Sequence, residues 1–246
     1  MDQQEKEIIT KGIHEILMKT FDKLNYIYQK NKEVYREKRE GSNVDYPLTK
    51  NPQSRLVFPS YYDDNRQIKD TRISEQELRF AFVEAFNEYC NCKDGKNWFY
   101  SVETPTKDKY SGFSSKTPKR LGSNPRSAEF DMVIYDDNLN RICLIEFKAN
   151  NADEPEHKKD QLKLNNRYEN NDEVPTFFVE VIKSYTDTGR KTTIGTLATK
   201  FELGVLTNYD YIIGNETNYY CYALEGKNTK GGENISDKIN HVRKTE

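Results

Sequence analysis

Three charged residues stand inside apolar, strand-like segments, where charged side chains are uncommon. Asp131 is the one carboxylate in the run 130–134. Glu146 and Lys148 lie two residues apart in the apolar segment 144–149, so both side chains leave the same face of a strand. Taken by itself, the Glu-x-Lys spacing could belong to a solvent-exposed strand face. Such a face would not explain the apolar residues that surround it. Because buried charges are costly, these residue types indicate a functional centre.

The flanking sequence predicts a hairpin that brings these charges together. A polar turn at 136–138 joins predicted strands at 129–135 and 141–148, so Asp131 is expected beside Glu146. Two carboxylates so close repel each other unless a cation lies between them, and their hard oxygen atoms suit Mg²⁺, with Mn²⁺ as a substitute. A metal held there polarises a phosphate and activates a water molecule, which the neighbouring lysine can orient.

The elements that position these residues predict an α/β fold with a mixed sheet between helices. From the N-terminus we expect a long helix at 5–40, a connector at 43–72 and a helix begun by a Ser74–Glu77 capping box. Strands are then expected at 98–104, 129–135 and 141–148, followed by a surface helix at 154–168 and a buried strand at 176–182. The remainder is predicted as a helix at 194–206, strands at 209–213 and 219–224, and a frayed tail from Gly226. The chain then divides into 1–72, the long helix and connector, and 73–246, the domain bearing the charges.

The long N-terminal helix has two alternative partners. Its apolar residues recur at helical spacing, with Lys and Glu on the opposite face. A helix with such a stripe needs an apolar surface to cover it. It either packs on the domain or pairs with a second copy of the chain in a homodimer.

Composition excludes several classes of protein. The net charge of −2 offers no general attraction for polyanions, so any nucleic-acid role depends on a local basic patch. The four cysteines lack the spacing of a zinc site. No apolar run is long enough to span a membrane, and the acidic start is not typical of a signal peptide. We therefore expect a cytoplasmic protein without membrane contact.

The motif Asp131…Glu146-Phe147-Lys148, in its order of helix, three strands, helix and strand, resembles the PD-(D/E)XK nuclease superfamily over residues 74–182. The resemblance implies a restriction-endonuclease-like core (αβββαβ) and Mg²⁺-dependent cleavage of nucleic acid, expected to be DNA, in restriction, defence or repair. It also implies that Asp131 and Glu146 bind the metal, that the carbonyl of Phe147 faces it, and that Lys148 assists the attacking water. A phenylalanine stands where the superfamily's name has proline.

The resemblance further implies contributions from the helices on either side of these strands. Such families often add a glutamate from the preceding helix, where Glu77, Glu84 and Glu88 flank one edge of the apolar stripe. We choose Glu77 as a metal ligand, although it is also the predicted capping-box residue. Gln161 resembles a glutamine that some exonuclease-like members place near the metal, and a solvated helix residue is the alternative. His157 lies in a charged run and is expected at the surface.

The segment 104–128 is the predicted grip on nucleic acid. Its acidic residue is Asp108 alone, against six basic residues: Lys107, Lys109, Lys116, Lys119, Arg120 and Arg126. Because this segment enters the strand bearing Asp131, it is expected to bind phosphates near the site; a solvated loop is the alternative. A catalytically inactive nucleic-acid-binding or assembly protein on the same fold is the alternative to an enzyme.

A salt titration tests the predicted grip. Replacing Lys116, Lys119, Arg120 and Arg126 with Gln should weaken nucleic-acid binding, and each lost phosphate contact should flatten the slope of log affinity against log salt by roughly 0.7 to 0.9. Any sequence preference should survive, because phosphate contacts do not identify bases. A slope equal to that of the unaltered protein would show that the segment is only solvated.

Overall fold

The computed structural model describes residues 1–39, 53–56, 74–92, 97–111, 119–120, 124–149, 152, 154–170, 173–186, 193–202, 217–227 and 231–245. The helices in these ranges are α1 (Gln3–Arg39), α2 (Glu75–Cys90), α3 (Glu154–Leu164), α4 (Ile194–Glu202) and α5 (Ser236–Thr245). The strands are β1 (Phe99–Ser111), β2 (Lys119–Arg120), β3 (Arg126–Tyr135), β4 (Arg141–Ala149), β5 (Thr176–Ser184), β6 (Asn218–Glu225) and β7 (Glu233–Asn234).

The described strands form one mixed sheet in the order β2-β1-β3-β4-β5-β6-β7. Strands β1, β3 and β4 pair antiparallel, whereas β4, β5 and β6 run parallel. Parallel neighbours need a crossover, and the chain passes through α3 and then α4 to make the two that are required. The predicted α/β architecture, with a mixed sheet between helices and a long N-terminal helix, is confirmed.

One face of the sheet is covered by α1 and α2. The apolar stripe of α1, including Ile13, Ile16 and Leu17, belongs to the same buried cluster as Phe82 of α2 and Phe147 of β4. The rings of Phe82 and Phe147 lie 5.5 Å apart, which ties α2 to the strand that carries the predicted site. The first part of α1 therefore packs on the domain, and pairing with a second copy stays a prediction.

The other face is covered by α3, α4 and α5. Leu164, Leu197 and Ile239 from these helices share a second buried cluster with Leu144 and Phe178 of the sheet. The expectation of a frayed tail from Gly226 is wrong, because β7 pairs with β6 and α5 packs its apolar residues onto this face.

Two further predictions about the helices are wrong. Ser74 precedes α2, but its side chain makes no capping hydrogen bond, so the helix begins with the backbone bond from Leu78 N–H to the Ser74 carbonyl. The segment predicted as a surface helix contains α3, whose His157, Asp160 and Lys163 are buried.

Parts of some predicted elements lie outside the described residues, namely most of the connector at 43–72, the strand at 209–213 and the end of the helix predicted to reach 206. Among the helices that are described, none combines the length and the apolar character that crossing a membrane requires.

Gly12 makes the close packing of α1 testable. A Cβ atom built at Gly12 would lie 2.6 Å from Cη2 of Trp98 and 2.9 Å from Oη of Tyr89. Gly12→Ala should therefore lower the free energy of unfolding by about 1–3 kcal/mol, although alanine is the better helix former. Denaturant titration measures the change. Gly195→Ala in α4 is the matched control, since its Cβ meets its nearest neighbour at 3.9 Å, and it should not destabilise.

Candidate ionic active site at the end of β4

The β3–β4 hairpin places Asp131 beside the end of β4. The register pairs Met132 with Ile145, so the next positions outward are Asp131 and Glu146. The predicted polar turn is confirmed, because Asp136 accepts the backbone N–H groups of its neighbours in the turn. At the other end of the hairpin, the Phe147 N–H donates to Oδ2 of Asp131 at 2.8 Å. The carboxylate is thus fixed against the backbone of the strand that carries the other two predicted residues.

Helix α2 contributes two charged residues spaced one turn apart. Glu75 and Arg79 lie on the same face of the helix. Oε1 of Glu75 lies 3.3 Å from Nζ of Lys148, and Nη2 of Arg79 lies 2.8 Å from Oδ1 of Asp131. Nη1 of Arg79 also contacts the exposed carboxylate of Glu103 at 3.1 Å. The first turns of α2 therefore close one side of the site.

Helix α3 contributes an oppositely charged pair from the other side of the sheet. Asp160 and Lys163 contact each other at 2.9 Å. Nζ of Lys163 lies 2.6 Å from Oε1 of Glu146, and Oδ2 of Asp160 lies 2.7 Å from Nζ of Lys148. Each member of the Glu146–Lys148 pair on β4 thus has a partner of opposite charge on α3.

With the exposed Glu103 left out, these contacts form one connected group, here called the charge cluster: Glu75, Arg79, Asp131, Glu146, Lys148, Asp160 and Lys163. Glu146 is 1% exposed and Asp160 is 2% exposed, so its centre is shielded from water. With every group ionised, its four carboxylates and three cations leave a net charge of −1. Asp131, Glu146 and Lys148, chosen from sequence, all belong to it.

Burial disfavours the negative charge on Glu146. It raises the pKa of this carboxyl well above its ordinary value, and the nearby carboxylates of Asp160 and Asp131 add to the increase. Lys163 opposes the shift without cancelling it. Glu146 is therefore the member of the charge cluster that most readily takes up a proton or gains from an additional cation.

Lys148 is held in its charged form. Burial opposes an ammonium group, but the surrounding carboxylates, first Asp160 and then Glu146, outweigh this effect and raise the pKa of Lys148 above its ordinary value. For Asp160, burial is likewise overcome by Lys163 and Lys148, which lower its pKa. Lys148 is thus a positive charge near neutral pH, suited to orienting water or stabilising negative charge and not to accepting a proton.

The structure does not bring the predicted helix glutamates to the site. Glu84 and Glu88 lie 3.8 Å and 2.6 Å from Nζ of Lys23 in α1. Glu77 precedes Glu84 and Glu88 by seven and eleven residues, and positions so spaced lie on nearly the same side of a helix. Glu77 is therefore buried on the side of α2 that carries Glu84 and Glu88. Glu75 lies two positions from Glu77, about 200° away around the helix, and it is the α2 glutamate that contacts Lys148. Sequence reasoning missed it because it precedes the apolar stripe.

The structure changes two expectations about α3 side chains. Gln161 is 1% exposed, so the alternative of a solvated helix residue is wrong, and its place near the metal stays a prediction. His157 was expected at the surface but is fully buried, with Nε2 3.1 Å from Oε2 of Glu180. Asp160 and Lys163 were missed because α3 has no apolar stripe. Their i,i+3 spacing opposite Glu146 and Lys148 is the signal that could have identified them.

The predicted basic segment is described in part. Lys116 lies outside the described residues, whereas Lys119 and Arg120 form β2 and Arg126 begins β3 with an exposed side chain. Arg126 precedes Asp131 by five residues on the same strand, which corresponds to roughly 17 Å at 3.3 Å per residue. The backbone of Arg126 therefore lies away from the charge cluster, and phosphate binding there stays a prediction.

The donor atoms agree in type with the expected metal, but each already has a partner. Carboxylate oxygens of Asp131 and Glu146 and the carbonyl of Phe147 are hard ligands of the kind that Mg²⁺ prefers. Arg79 and Lys163 contact the two carboxylates, and Nζ of Lys148 donates to the Phe147 carbonyl at 3.0 Å. Within the described ranges, no three His, Cys, Asp or Glu side chains form a metal-binding group. Mg²⁺ binding stays a prediction that requires Arg79 and Lys163 to be displaced from these oxygens.

Comparison with known proteins finds no matching family model, no similar curated protein and no similar solved structure. The fold and the site therefore define the protein only as an α/β protein with a mixed sheet and a buried ionic centre at the end of β4.

The shifted pKa of Glu146 predicts how stability depends on pH. A carboxyl whose pKa is raised on folding favours the folded state below its unfolded pKa, about 4.3, and this contribution is lost as pH rises through the folded value. Glu146→Gln should therefore raise the free energy of unfolding at pH 7, with little difference near pH 4. Denaturant titrations across this range measure it.

Asp160→Asn is the matched control and should show the opposite sign. Because the pKa of Asp160 is lowered, its contribution is present above its unfolded pKa, about 3.9, and is lost as pH falls through the folded value. This variant should be less stable than the unaltered protein at pH 7. Equal pH profiles for both variants would contradict the assigned shifts.

Proposed function

We propose that the chain is a Mg²⁺-dependent nuclease that hydrolyses phosphodiester bonds, with DNA as its substrate and a restriction-endonuclease-like core. The observation that carries the proposal is the convergence of Asp131, Glu146 and Lys148 in one buried charge cluster at the end of the β3–β4 hairpin. Replacing a buried ion pair by apolar residues is often neutral or stabilising, so stability alone gives little reason to bury so many charges. Phosphoryl chemistry does give one.

The residues of the charge cluster divide the work of hydrolysis between them. Asp131 and Glu146 supply the oxygen atoms for the ion, which would polarise the phosphate and activate a water molecule when bound. The ammonium of Lys148 orients that water and stabilises negative charge on the phosphate. Glu75 and Asp160 hold Lys148 from two sides at 3.3 Å and 2.7 Å, so its position is set before substrate arrives.

The net charge of the cluster supports the same assignment. At −1 with all groups ionised, the cluster repels a phosphodiester. Addition of one divalent cation would make the local charge more positive by two, which reduces the repulsion of the phosphodiester to be cut. Substrate binding is therefore expected to depend on the metal as strongly as the chemical step does.

A specific observation favours a second candidate, a nucleic-acid-binding or assembly protein that does not cut. Asp131 and Glu146 are each already neutralised by a protein cation, Arg79 or Lys163, at 2.8 Å and 2.6 Å. A closed ionic network of this kind can stand in a fold without any metal. The two candidates differ in divalent-dependent cleavage, which the first requires and the second lacks.

Cleavage assays on plasmid and oligonucleotide substrates test the proposal. Activity should appear with Mg²⁺ or Mn²⁺ and vanish with EDTA, and Ca²⁺ should support binding without turnover because its looser shell positions water poorly. Asp131→Ala, Glu146→Ala and Lys148→Ala should each reduce cleavage by at least about a hundredfold. Full cleavage by any one of these variants would refute the assignment.

Asp137→Asn is the matched control for these variants. Asp137 is an exposed carboxylate in the turn that joins the same two strands, outside the charge cluster. The control should cut like the unaltered protein. When it is purified alongside the other variants, a contaminating nuclease would be recognised by equal cleavage in all of the preparations. Metal-independent cutting shared by all preparations would point away from this site.

A further inference from the structure

Arg79 has a hydrogen-bonding capacity that its present partners do not use. Nη2 contacts Asp131 at 2.8 Å and Nη1 contacts Glu103 at 3.1 Å. Its Nε is buried and has no hydrogen-bond partner among the described residues. A buried N–H donor without a partner carries a desolvation cost, so the guanidinium is placed for a ligand that supplies a further acceptor.

We propose that Arg79 is an exchangeable counter-ion that leaves Asp131 when a divalent cation binds there and then grips the substrate phosphate through Nε and Nη2. This inference rests on the proposed function and adds to it the residue that couples metal binding to phosphate binding. The Nε–Nη2 edge of a guanidinium presents two parallel N–H groups, which match two phosphate oxygens. At present one of those two donors is engaged by Asp131 and the other by no described residue.

Glu103 keeps the guanidinium in place during the exchange. Its carboxylate engages Nη1, which lies outside the edge assigned to phosphate, so this contact can persist while Nη2 changes partner. Glu103 has a φ of 49°, in the left-handed region that non-glycine residues seldom occupy. A residue held in this conformation is kept there by its surroundings, and here the conformation presents an acidic side chain to Arg79. Glu103 is a positioning residue in this scheme.

The exchange also accounts for the position of Arg79 on α2. Arg79 lies one turn after Glu75, which contacts Lys148, so the same face of α2 orders the lysine and carries the arginine. A phosphate bound beside Asp131 would therefore meet Arg79 and Lys148 together. Release of Asp131 from Arg79 frees a carboxylate oxygen for the cation, so each binding event favours the other.

Mn²⁺ binding without nucleic acid tests the first half of the exchange. Because Arg79 competes with the ion for Asp131, Arg79→Gln should bind Mn²⁺ more tightly, by a factor on the order of ten, in an electron paramagnetic resonance titration. Asp131→Asn should remove this binding in either background. Arg141→Gln is the matched control, since Arg141 is a similarly buried arginine that contacts Glu169 at 3.5 Å, and it should leave the Mn²⁺ affinity unchanged.

Binding of a short labelled DNA duplex, and separately of its single strand, in Ca²⁺ tests the second half. Arg79→Gln should weaken binding on the order of tenfold, although the same variant holds metal more tightly. Arg79→Lys keeps the charge without the two-donor edge and should recover only part of the loss. Arg141→Gln should bind DNA as the unaltered protein does. A purely structural arginine would not move the two affinities in opposite directions.

The outcomes separate this inference from the proposed function. Mn²⁺ binding that depends on Asp131, with both affinities unchanged in Arg79→Gln, would overturn the exchange and leave the nuclease proposal standing. Absence of any Asp131-dependent Mn²⁺ binding in the unaltered protein would overturn both. Tighter metal binding together with weaker DNA binding in Arg79→Gln supports the exchange.

Discussion

The mutual dependence of buried charges at the end of β4 fixes how α3 and β4 are placed relative to each other. Glu146 and Lys148 leave β4 toward α3, where Lys163 and Asp160 meet them at 2.6 Å and 2.7 Å. Moving an ion of this kind out of water costs several kcal/mol, which only close partners repay. Displacing α3 would leave uncompensated charges on both elements, so the helix and the strand must be placed together.

Polar contacts also fix α3 one turn before Asp160. His157 is buried with Nε2 3.1 Å from Oε2 of Glu180, and the hydroxyl of Tyr219 donates to the same oxygen at 2.7 Å. Lys148 and Glu180 are register partners on the parallel pair β4–β5, so this contact lies directly beside the charge cluster. The helix is therefore docked by directed polar contacts as well as by its buried leucines, and the polar contacts set its position more strictly than apolar packing does.

Sequence patterns predict this fold where burial follows apolar residues. The β3–β4 hairpin, β5 and the stripe of α1 are confirmed, because alternation and helical spacing report which face is covered. The same rule fails for α3, because its buried face carries histidine, aspartate and lysine, whose hydropathy predicts exposure to solvent. Asp131, Glu146 and Lys148 could be chosen because they interrupt apolar strands. Glu75 could not, because it precedes the apolar stripe of α2, and Arg79 could not, because its partner Asp131 is distant in sequence.

The charge cluster has fewer cations than carboxylates, which distinguishes it from a fully balanced ionic network. Three cations face four carboxylates, and burial raises the pKa of Glu146 against the pull of Lys163. A fully balanced network would gain nothing from a further ion. Under the exchange proposed for Arg79, an added cation would relieve repulsion among the carboxylates, and the displaced guanidinium would stay nearby as a donor for an anion. In that proposal, the same burial that orders α2, α3 and the hairpin would also set the affinity for ligands of both signs.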